Sequence, residues 1–295
     1  MGDTRTIVVT GAAGPAGRAL GAQLARRPEV HAVGVDLAPR AVPGFATVEA
    51  VPAAGDPAYD GATLALVRRY GDVLVVPSVS EELAHLAVLA GAAGLTRDVV
   101  VSPPGPTAVA GDKLLTMLAL DRQGVGVPPH AGADALPSAA DALDWAAGPV
   151  VVKPRVARGG RGVHVVETAD DPAWAALDAS WIVQGFAPGR EYCPQVYRSP
   201  STGETQVVVL EKTGRKEGRV GNATTVTRLE ESAAADVAAV ARATTLALGL
   251  VGPLDMDVRR LADGTPVVLE VNARFGAVSE SAPELLDAVL REWPV

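Results

Sequence analysis

The ten residues 267–276, VVLEVNARFG, constrain the fold more than any other stretch of the chain. If residues 267–275 form a strand, alternation places three apolar side chains on one face and three polar ones on the other: Leu269, Val271 and Ala273, against Glu270, Asn272 and Arg274. An unpaired buried polar group costs about 2–7 kcal/mol. The polar face therefore needs a partner.

The segment before this strand supplies part of that partner. Residues 254–260, LDMDVRR, precede an Asp263-Gly264 pair, which is a strong short-range signal for a β-hairpin. A two-residue turn there pairs Ala262 with Thr265. The same register sets Asp257 opposite Glu270 and Asp255 opposite Asn272.

Three carboxylates and an amide on one patch predict a bound cation, because like charges opposite each other across strands are destabilising. Oxygen donors with few protein ligands suit Mg²⁺, which completes its shell with water and phosphate oxygens. The alternative is a buried acid of raised pKa that stays neutral. The upstream ligand is either Asp255 or Asp257, and the hairpin register favours Asp257.

Composition excludes several classes of function. The 295 residues are enough for one large domain or two to three modest ones. A net charge of -8 and 4% aromatic residues argue against nucleic-acid binding, and the single cysteine, Cys193, excludes an internal disulfide. No apolar run is long enough to span a bilayer and no signal peptide is evident, so we expect a cytoplasmic protein.

Lysine is scarce in a chain that otherwise uses arginine. Of 26 basic residues only four are lysines: Lys113, Lys153, Lys212 and Lys216. A lysine retained in such a chain indicates a role for a compact ammonium group, such as a phosphate contact. The alternative is an ordinary surface lysine.

The N-terminal third reads as alternating strands and helices, which predicts a parallel sheet. Gly11, Gly14 and Gly17 have the spacing of a dinucleotide-binding turn, and Asp36 stands where a ribose-binding acid could end the second strand. The structural alternative is that the glycines only permit a tight strand-to-helix crossover. Residues 37–63 look irregular, and residues 98–102 are predicted to form a further strand.

Lys153 is predicted on a strand that leads into a glycine-rich turn at residues 158–162. No P-loop motif is present. A β-turn-β flap of this kind can lay backbone N–H groups over phosphates. The alternative is an ordinary exposed hairpin.

Taken in order, the segments VVPSVSEE, GDKLL, VVVKP, GGRGV, VQGF, GREY and LEVNARFG resemble the ATP-grasp superfamily over nearly the whole chain, with an ending similar to carbamoyl-phosphate-synthetase large subunits. The resemblance implies an α/β fold, α+β in its C-terminal part. It comprises a Rossmann-like domain (1–106), a small lobe with the flap (107–185) and a large lobe with the metal site (186–295).

The resemblance also implies roles and cofactors, namely ATP and Mg²⁺. Lys113 and Lys153 would contact phosphates, and Gly159, Gly160 and Gly162 would form the flap. Gln184, Gly185 and Phe186 would hold the adenine edge through backbone groups, and Glu191 would bind ribose. Asp257, Glu270 and Asn272 would hold Mg²⁺. Arg274 would face the transferred phosphate, with Lys212 and Arg215 of a basic loop (212–222) as further catalytic candidates.

These roles predict an ATP-dependent carboxylate-amine ligase that forms ADP through an acyl phosphate. Its partners would be a small-molecule carboxylate and an amine, with no nucleic acid or membrane and with a homodimer kept open. Two alternatives remain: an NAD(P)-dependent reductase or epimerase, based on the N-terminal glycines and Asp36, and an ATP-binding regulator without catalysis.

Overall fold

The computed structural model describes residues 5–157, 159–215 and 223–293. Within them, fifteen strands form three sheets flanked by eight α-helices. The strands are β1 (Arg5–Thr10), β2 (Val30–Asp36), β3 (Thr47–Ala50), β4 (Val73–Val76), β5 (His130–Gly132), β6 (Val150–Pro154), β7 (His164–Val166), β8 (Trp181–Gly185), β9 (Glu191–Tyr192), β10 (Gln195–Arg198), β11 (Thr205–Val208), β12 (Leu210–Arg215), β13 (Ala223–Arg228), β14 (Gly252–Arg260) and β15 (Pro266–Asn272). The helices are α1 (Pro15–Leu24), α2 (Tyr59–Tyr70), α3 (Leu83–Ala93), α4 (Pro104–Gly111), α5 (Lys113–Arg122), α6 (Ala139–Ala146), α7 (Ala235–Ala247) and α8 (Pro283–Glu292).

The first sheet is parallel, in the order β3-β2-β1-β4, and confirms the Rossmann-like prediction for the N-terminal part. Two local predictions were wrong. The segment expected to be irregular contains β3, a four-residue edge strand with no fully buried side chain, so it lacked an apolar signal. The strand expected at residues 98–102 makes only a single bridge, Val75 to Val99.

The glycine-rich turn after β1 is held together by close backbone packing. A Cβ on Gly17 would stand 2.3 Å from the carbonyl oxygen of Gly11. Asp36, at the end of β2, accepts a hydrogen bond of 2.9 Å from the backbone N–H of Ala13. These contacts support the interpretation that the glycines permit a tight strand-to-helix crossover. They also give Asp36 a hydrogen-bond partner within the protein.

The second sheet is antiparallel, in the order β5-β8-β6-β7, and two of its strands, β6 and β8, line a small cavity. Val151 of β6 pairs with Gln184 of β8, and Lys153 pairs with Ile182. Since opposed residues share a face of a sheet, Lys153 and Gln184 project toward the same side. A separate core, which includes Val150, lies under the other face.

The third sheet is built around β14, which pairs with β10 and β9 along one edge and with β15 along the other. Helices α4, α5 and α7 contribute to the core on one face, and α8 packs into a second core that also holds residues of β1 and α1. The domain boundaries stay a prediction. Met117 and Leu120 of α5 lie in the core of the third sheet, so packing crosses the predicted boundary between the small lobe (107–185) and the large lobe (186–295).

No helix in the described ranges is long and apolar enough to cross a bilayer.

Glu82 is a buried acid at the C-terminal edge of the first sheet. It accepts hydrogen bonds from the hydroxyl of Thr10 and, at 3.0 Å, from that of Tyr59. Burial raises the pKa of Glu82 to about 7 in spite of these donors. The folded protein therefore holds a proton that the unfolded chain releases at lower pH.

This raised pKa predicts how stability varies with pH. An acid whose folded pKa exceeds its unfolded value destabilises the fold as pH rises, here between about 4.5 and 7, by a total of about 3 kcal/mol. Glu82→Gln should remove that decline, so the variant gains stability relative to wild type at pH 8 compared with pH 5. Urea unfolding across that range measures it. The exposed Glu29→Gln is the control, and parallel pH profiles for wild type and Glu82→Gln would contradict the assignment.

Candidate active site

The hairpin of β14 and β15 has the predicted register at the polar patch, although its turn was predicted wrongly. Asp257 pairs with Glu270, and Asp255 pairs with Asn272. The turn is one residue longer than expected: Leu261 donates its N–H to the carbonyl of Thr265 at 2.9 Å, which leaves a three-residue loop. Gly264 in that loop has a φ of 90°, which favours glycine.

A β-bulge compensates for the longer turn. Arg260 pairs with Pro266 and Val258 with Val268, and the register then shifts between Val258 and Asp257. The extra residue on β15 is Leu269. Its side chain therefore leaves the face that it was predicted to share with Val271 and Ala273, and it lines a cavity instead.

The bulge gives Lys153 a partner. The ammonium of Lys153 donates to the carbonyl oxygen of Leu269 at 2.8 Å, and the residue is only 5% exposed. Burial lowers the pKa of Lys153 to about 8, and the neighbouring Glu270 acts in the opposite direction. An anionic ligand near such an ammonium would favour its charged form and raise its pKa.

Lys113 reaches the same place from the start of α5. Helices α4 and α5 are separated at Asp112, which has extended backbone angles and caps α5 by accepting from the N–H groups of Leu114 and Leu115. Asp112 also accepts from Arg155, the nearest contacts being 2.6 and 3.1 Å. The cap thus ties α5 to the end of β6, and Lys113 Nζ lies 3.4 Å from Glu270 Oε1.

Lys212 lies between two acids. Its ammonium is 2.6 Å from Glu191 Oε1 and 2.7 Å from Asp257 Oδ1, and its side chain is about as buried as that of Lys153. Burial alone would lower the pKa of Lys212, but the ion pairs with Asp257 and Glu191 raise it above the ordinary lysine value. Lys212 is therefore a fixed positive charge in this structure.

Asp255 has a different environment from Asp257. It accepts a hydrogen bond of 2.5 Å from Gln195 and lies 3.4 Å from Arg274. Burial raises its pKa, against the effect of Arg274, so it is the kind of acid that the neutral-acid alternative expects. Asp257 is more open, with a side chain 30% exposed, which supports it as the upstream metal ligand.

Arg274 and Asn272 meet above the end of β15. Arg274 donates to the side-chain oxygen of Asn272 at 3.0 Å and to the backbone carbonyl of Phe275 at 2.9 Å. Ser80, from the segment after β4, contacts both side chains at 3.3 Å. The guanidinium is thereby held at the edge of the cleft.

The cleft has a volume of about 1180 Å³ and lies between the first and third sheets and the flap. Its lining includes residues 159–163 of the flap, the polar patch of the hairpin, and residues 13–16 of the N-terminal glycine-rich turn. Gly159, Gly160 and Gly162 have φ values of 67°, 71° and 74°, a region that side chains other than glycine rarely adopt. The flap conformation therefore depends on these glycines.

The segment predicted to hold an adenine edge borders a second, smaller cavity, which also contacts Lys153 and Glu270. The N–H of Gly185 donates to the carbonyl of Pro129 at 2.8 Å, and that of Phe186 to the carbonyl of Pro149 at 2.9 Å. Both N–H groups are therefore already donated within the protein. They are not available for the backbone contact to adenine that the resemblance implied.

The predicted metal ligands can be compared with the ligands that Mg²⁺ prefers. In the described part of the chain, no group of three or more His, Cys, Asp or Glu residues is arranged to hold a metal. Asp257, Glu270 and Asn272 nevertheless offer only oxygen donors, which is the chemistry Mg²⁺ needs when phosphate and water complete its shell. The residues fit the ion, and lysines neutralise the two carboxylates in this structure.

Some predicted residues lie outside the described part, and some site residues were not predicted. Arg158, Lys216 and the rest of residues 216–222 lie outside it, as does the side chain of Arg215, so the predictions that fall on them have no structural test here. Sequence reasoning did not assign Ser80 or Gln195. Ser80 lies within the motif VVPSVSEE, and Gln195 is a buried amide at the start of the short strand β10.

A family model described as an ATP-grasp domain matches residues 110–278, the region that contains Lys113, Lys153, the flap and the hairpin. The chain belongs to the ATP-grasp family. ATP and Mg²⁺ are the usual cofactors of ATP-grasp enzymes, in agreement with the expectation from the sequence. No curated protein matches the sequence.

Solved ATP-grasp structures share the fold. The L-amino acid ligase from Bacillus licheniformis superposes with a TM-score of 0.72 at 20% identity, over 94% of this chain and 68% of that one. N5-carboxyaminoimidazole ribonucleotide synthetase from Thermus thermophilus gives 0.69 at 23%, over 92% and 71%. Biotin carboxylase from Campylobacter jejuni, solved as a β,γ-ATP complex, gives 0.68 at 17%, over 95% and 67%.

Close packing at Gly276 predicts a specific loss of stability. A Cβ there would stand 2.4 Å from the carboxylate of Asp255, which has little room to move while it binds Gln195 and Arg274. We expect Gly276→Ala to destabilise the fold by about 1–3 kcal/mol in urea unfolding.

The matched control is Gly91→Ala on the exposed side of α3, where a Cβ meets no atom within 4 Å. That change should stabilise the protein by about 0.5–1 kcal/mol. Equal and small effects at both positions would show that Asp255 is not fixed where the structure places it.

Proposed function

We propose that the protein is an ATP-dependent carboxylate-amine ligase that forms ADP through an acyl phosphate. The observation that carries the proposal is the cluster of three buried lysines, Lys113, Lys153 and Lys212, against the paired carboxylates of Asp257 and Glu270. Buried ammonium groups of this density suit a polyanionic ligand. The ligase fold of the structural relatives supports the same reaction class.

The residues would divide the chemistry as follows. Lys113 and Lys153 bind the phosphates of ATP, and the flap glycines donate backbone N–H groups over them. Mg²⁺, when bound through Asp257, Glu270 and Asn272, neutralises charge on the phosphate oxygens. Arg274 holds the carboxylate substrate and then the acyl phosphate.

The reaction has two steps. A carboxylate oxygen of the substrate attacks the γ-phosphorus as the bond to ADP breaks, which gives an acyl phosphate. The amine nitrogen then attacks the acyl carbon, the C–O bond to phosphate breaks, and the nitrogen loses a proton. Placement and charge neutralisation suffice for both steps, so a covalent protein nucleophile is not required.

The lining of the cleft supports a small substrate of mixed charge. It extends from Arg274 to the N-terminal glycine-rich turn and has both Arg40 and Asp36 in its lining. A zwitterionic or mixed-charge small molecule matches such a lining better than an apolar one does.

The proposed activity is tested by ADP release from ATP and Mg²⁺ in the presence of a panel of carboxylates and amines. We expect release that requires both substrates, and Glu270→Ala should reduce it at least 100-fold because the metal loses a ligand. ATP binding without turnover on a broad panel would favour the regulator alternative. No ATP binding at all would refute the proposal.

Lys153 should contribute mainly to nucleotide binding. Removing a charged hydrogen bond to phosphate should weaken ATP binding by about 10- to 100-fold in Lys153→Met, measured by isothermal titration calorimetry. Arg122→Met at the exposed end of α5 removes a positive charge far from the cavity lining and should leave the affinity unchanged. Equal affinities in the two variants would exclude Lys153 from the phosphate site.

A further inference from the structure

Arg274 and Asp255 form an ion pair on the wall of the large cleft. Arg274 Nη1 lies 3.4 Å from Asp255 Oδ2, and the two side chains are 13% and 17% exposed. Both residues belong to the lining of the cleft. A ligand in the cleft therefore meets a positive and a negative group side by side.

The carboxylate of Asp255 is held in this position. Gln195, which pairs with Asp255 across β10 and β14, donates to its Oδ1 atom at 2.5 Å. On another side the backbone of Gly276 packs so closely that a Cβ there would stand 2.4 Å from the carboxylate. The acid therefore has little room to swing away from the guanidinium when a ligand binds.

This arrangement penalises a substrate that carries only a carboxylate. The proposed reaction places the substrate carboxylate at Arg274, and there it would also lie close to the carboxylate of Asp255. Two carboxylates so close together repel each other or force one of them to take up a proton, and either result costs free energy. Such a substrate would lose beside Asp255 part of what it gains beside Arg274.

An α-amino acid meets both groups with the opposite charge. Its ammonium and its carboxylate are carried on adjacent carbon and nitrogen atoms, so the two charges lie side by side as they do in the ion pair. Burial disfavours the charge of Asp255, and a neighbouring ammonium would offset that cost. Each contact would then be a charge-assisted hydrogen bond.

We propose that the substrate that receives the phosphoryl group is an α-amino acid, with its carboxylate on Arg274 and its ammonium on Asp255. The inference rests on the proposed function, because the same carboxylate then attacks the γ-phosphorus as the bond to ADP breaks. It makes Asp255 a determinant of substrate specificity and Gln195 the residue that positions it.

The test uses hydroxylamine in place of the unidentified amine. The hydroxylamine nitrogen attacks the acyl carbon, phosphate leaves and the nitrogen loses a proton, which gives a hydroxamate that forms a coloured complex with ferric iron. Wild-type protein, ATP and Mg²⁺ are assayed with L- and D-amino acids and with the carboxylic acids that have the same side chains but lack the amino group. We expect kcat/KM to be at least about 100-fold higher for the best amino acid than for its deamino analogue.

Asp255→Asn supplies the matched variant, because it keeps the size of the side chain and an acceptor for Gln195 but removes the charge. For the amino acid, kcat/KM should fall at least about tenfold, mainly through a higher KM, because one charged contact is lost. For the deamino analogue it should rise, because the repulsion is removed. Changes in opposite directions separate this role from a structural one, which would lower both values together.

Two further measurements serve as controls. Calorimetry should give the same ATP affinity for Asp255→Asn as for wild type, because Asp255 contacts no phosphate in the proposed site. Asp121→Asn removes a negative charge from the exposed part of α5, outside the cleft lining, and should leave both kcat/KM values unchanged.

Three results would overturn the inference: equal turnover of amino acids and their deamino analogues by wild type, turnover of other carboxylates but of no amino acid, or a proportional loss on both substrates in Asp255→Asn. In each of these cases the ligase activity stands and only the substrate class fails. If wild-type protein binds no ATP, or turns over no carboxylate at all, the proposed function fails with it.

Discussion

The buried ammonium of Lys212, held between Glu191 and Asp257, is the interaction on which the rest of the site depends. It joins β12, β9 and β14, three strands of the third sheet, at one point. Removing one member of a buried ion pair leaves an uncompensated charge, at a cost of about 3–5 kcal/mol. Lysines neutralise the carboxylates of the proposed phosphate-binding site in the free protein, so these acids can be assembled before a ligand binds.

Charge balance between lysines and acids also describes the surroundings of β15. Three lysines and three acids, Glu191, Asp257 and Glu270, form a network in which positive and negative groups balance. At the bulge, the carbonyl oxygen of Leu269 accepts a hydrogen bond from Lys153. This contact stabilises an ammonium group that is buried away from water. A polyanion and a divalent cation can enter such a network by exchanging partners. The charged side chains of the site are therefore already in place in the free protein.

The polar face of VVLEVNARFG and its pairing with Asp255 and Asp257 could be predicted from alternation and from the Asp-Gly turn signal. The prediction reached the correct pairs although the turn is a residue longer, because the bulge at Leu269 restores the register. Neither departure has a local signal: the carbonyl oxygen at the bulge accepts from Lys153, more than a hundred residues away. The unpartnered amide of Gln184 and the ion pair of Asp112 with Arg155 likewise depend on long-range packing, which spacing along the chain does not encode.

The central claim is that Asp257 and Glu270 bind a divalent cation together with ATP. Electron paramagnetic resonance of Mn²⁺, which substitutes for Mg²⁺ and is silent when tightly bound, tests it directly. We predict that wild-type protein with ATP lowers the free Mn²⁺ signal well below that of the same Mn²⁺ and ATP without protein, and that the double variant Asp257→Asn, Glu270→Gln leaves it at the protein-free level. An equal drop below the protein-free level in wild type and the double variant would contradict the account.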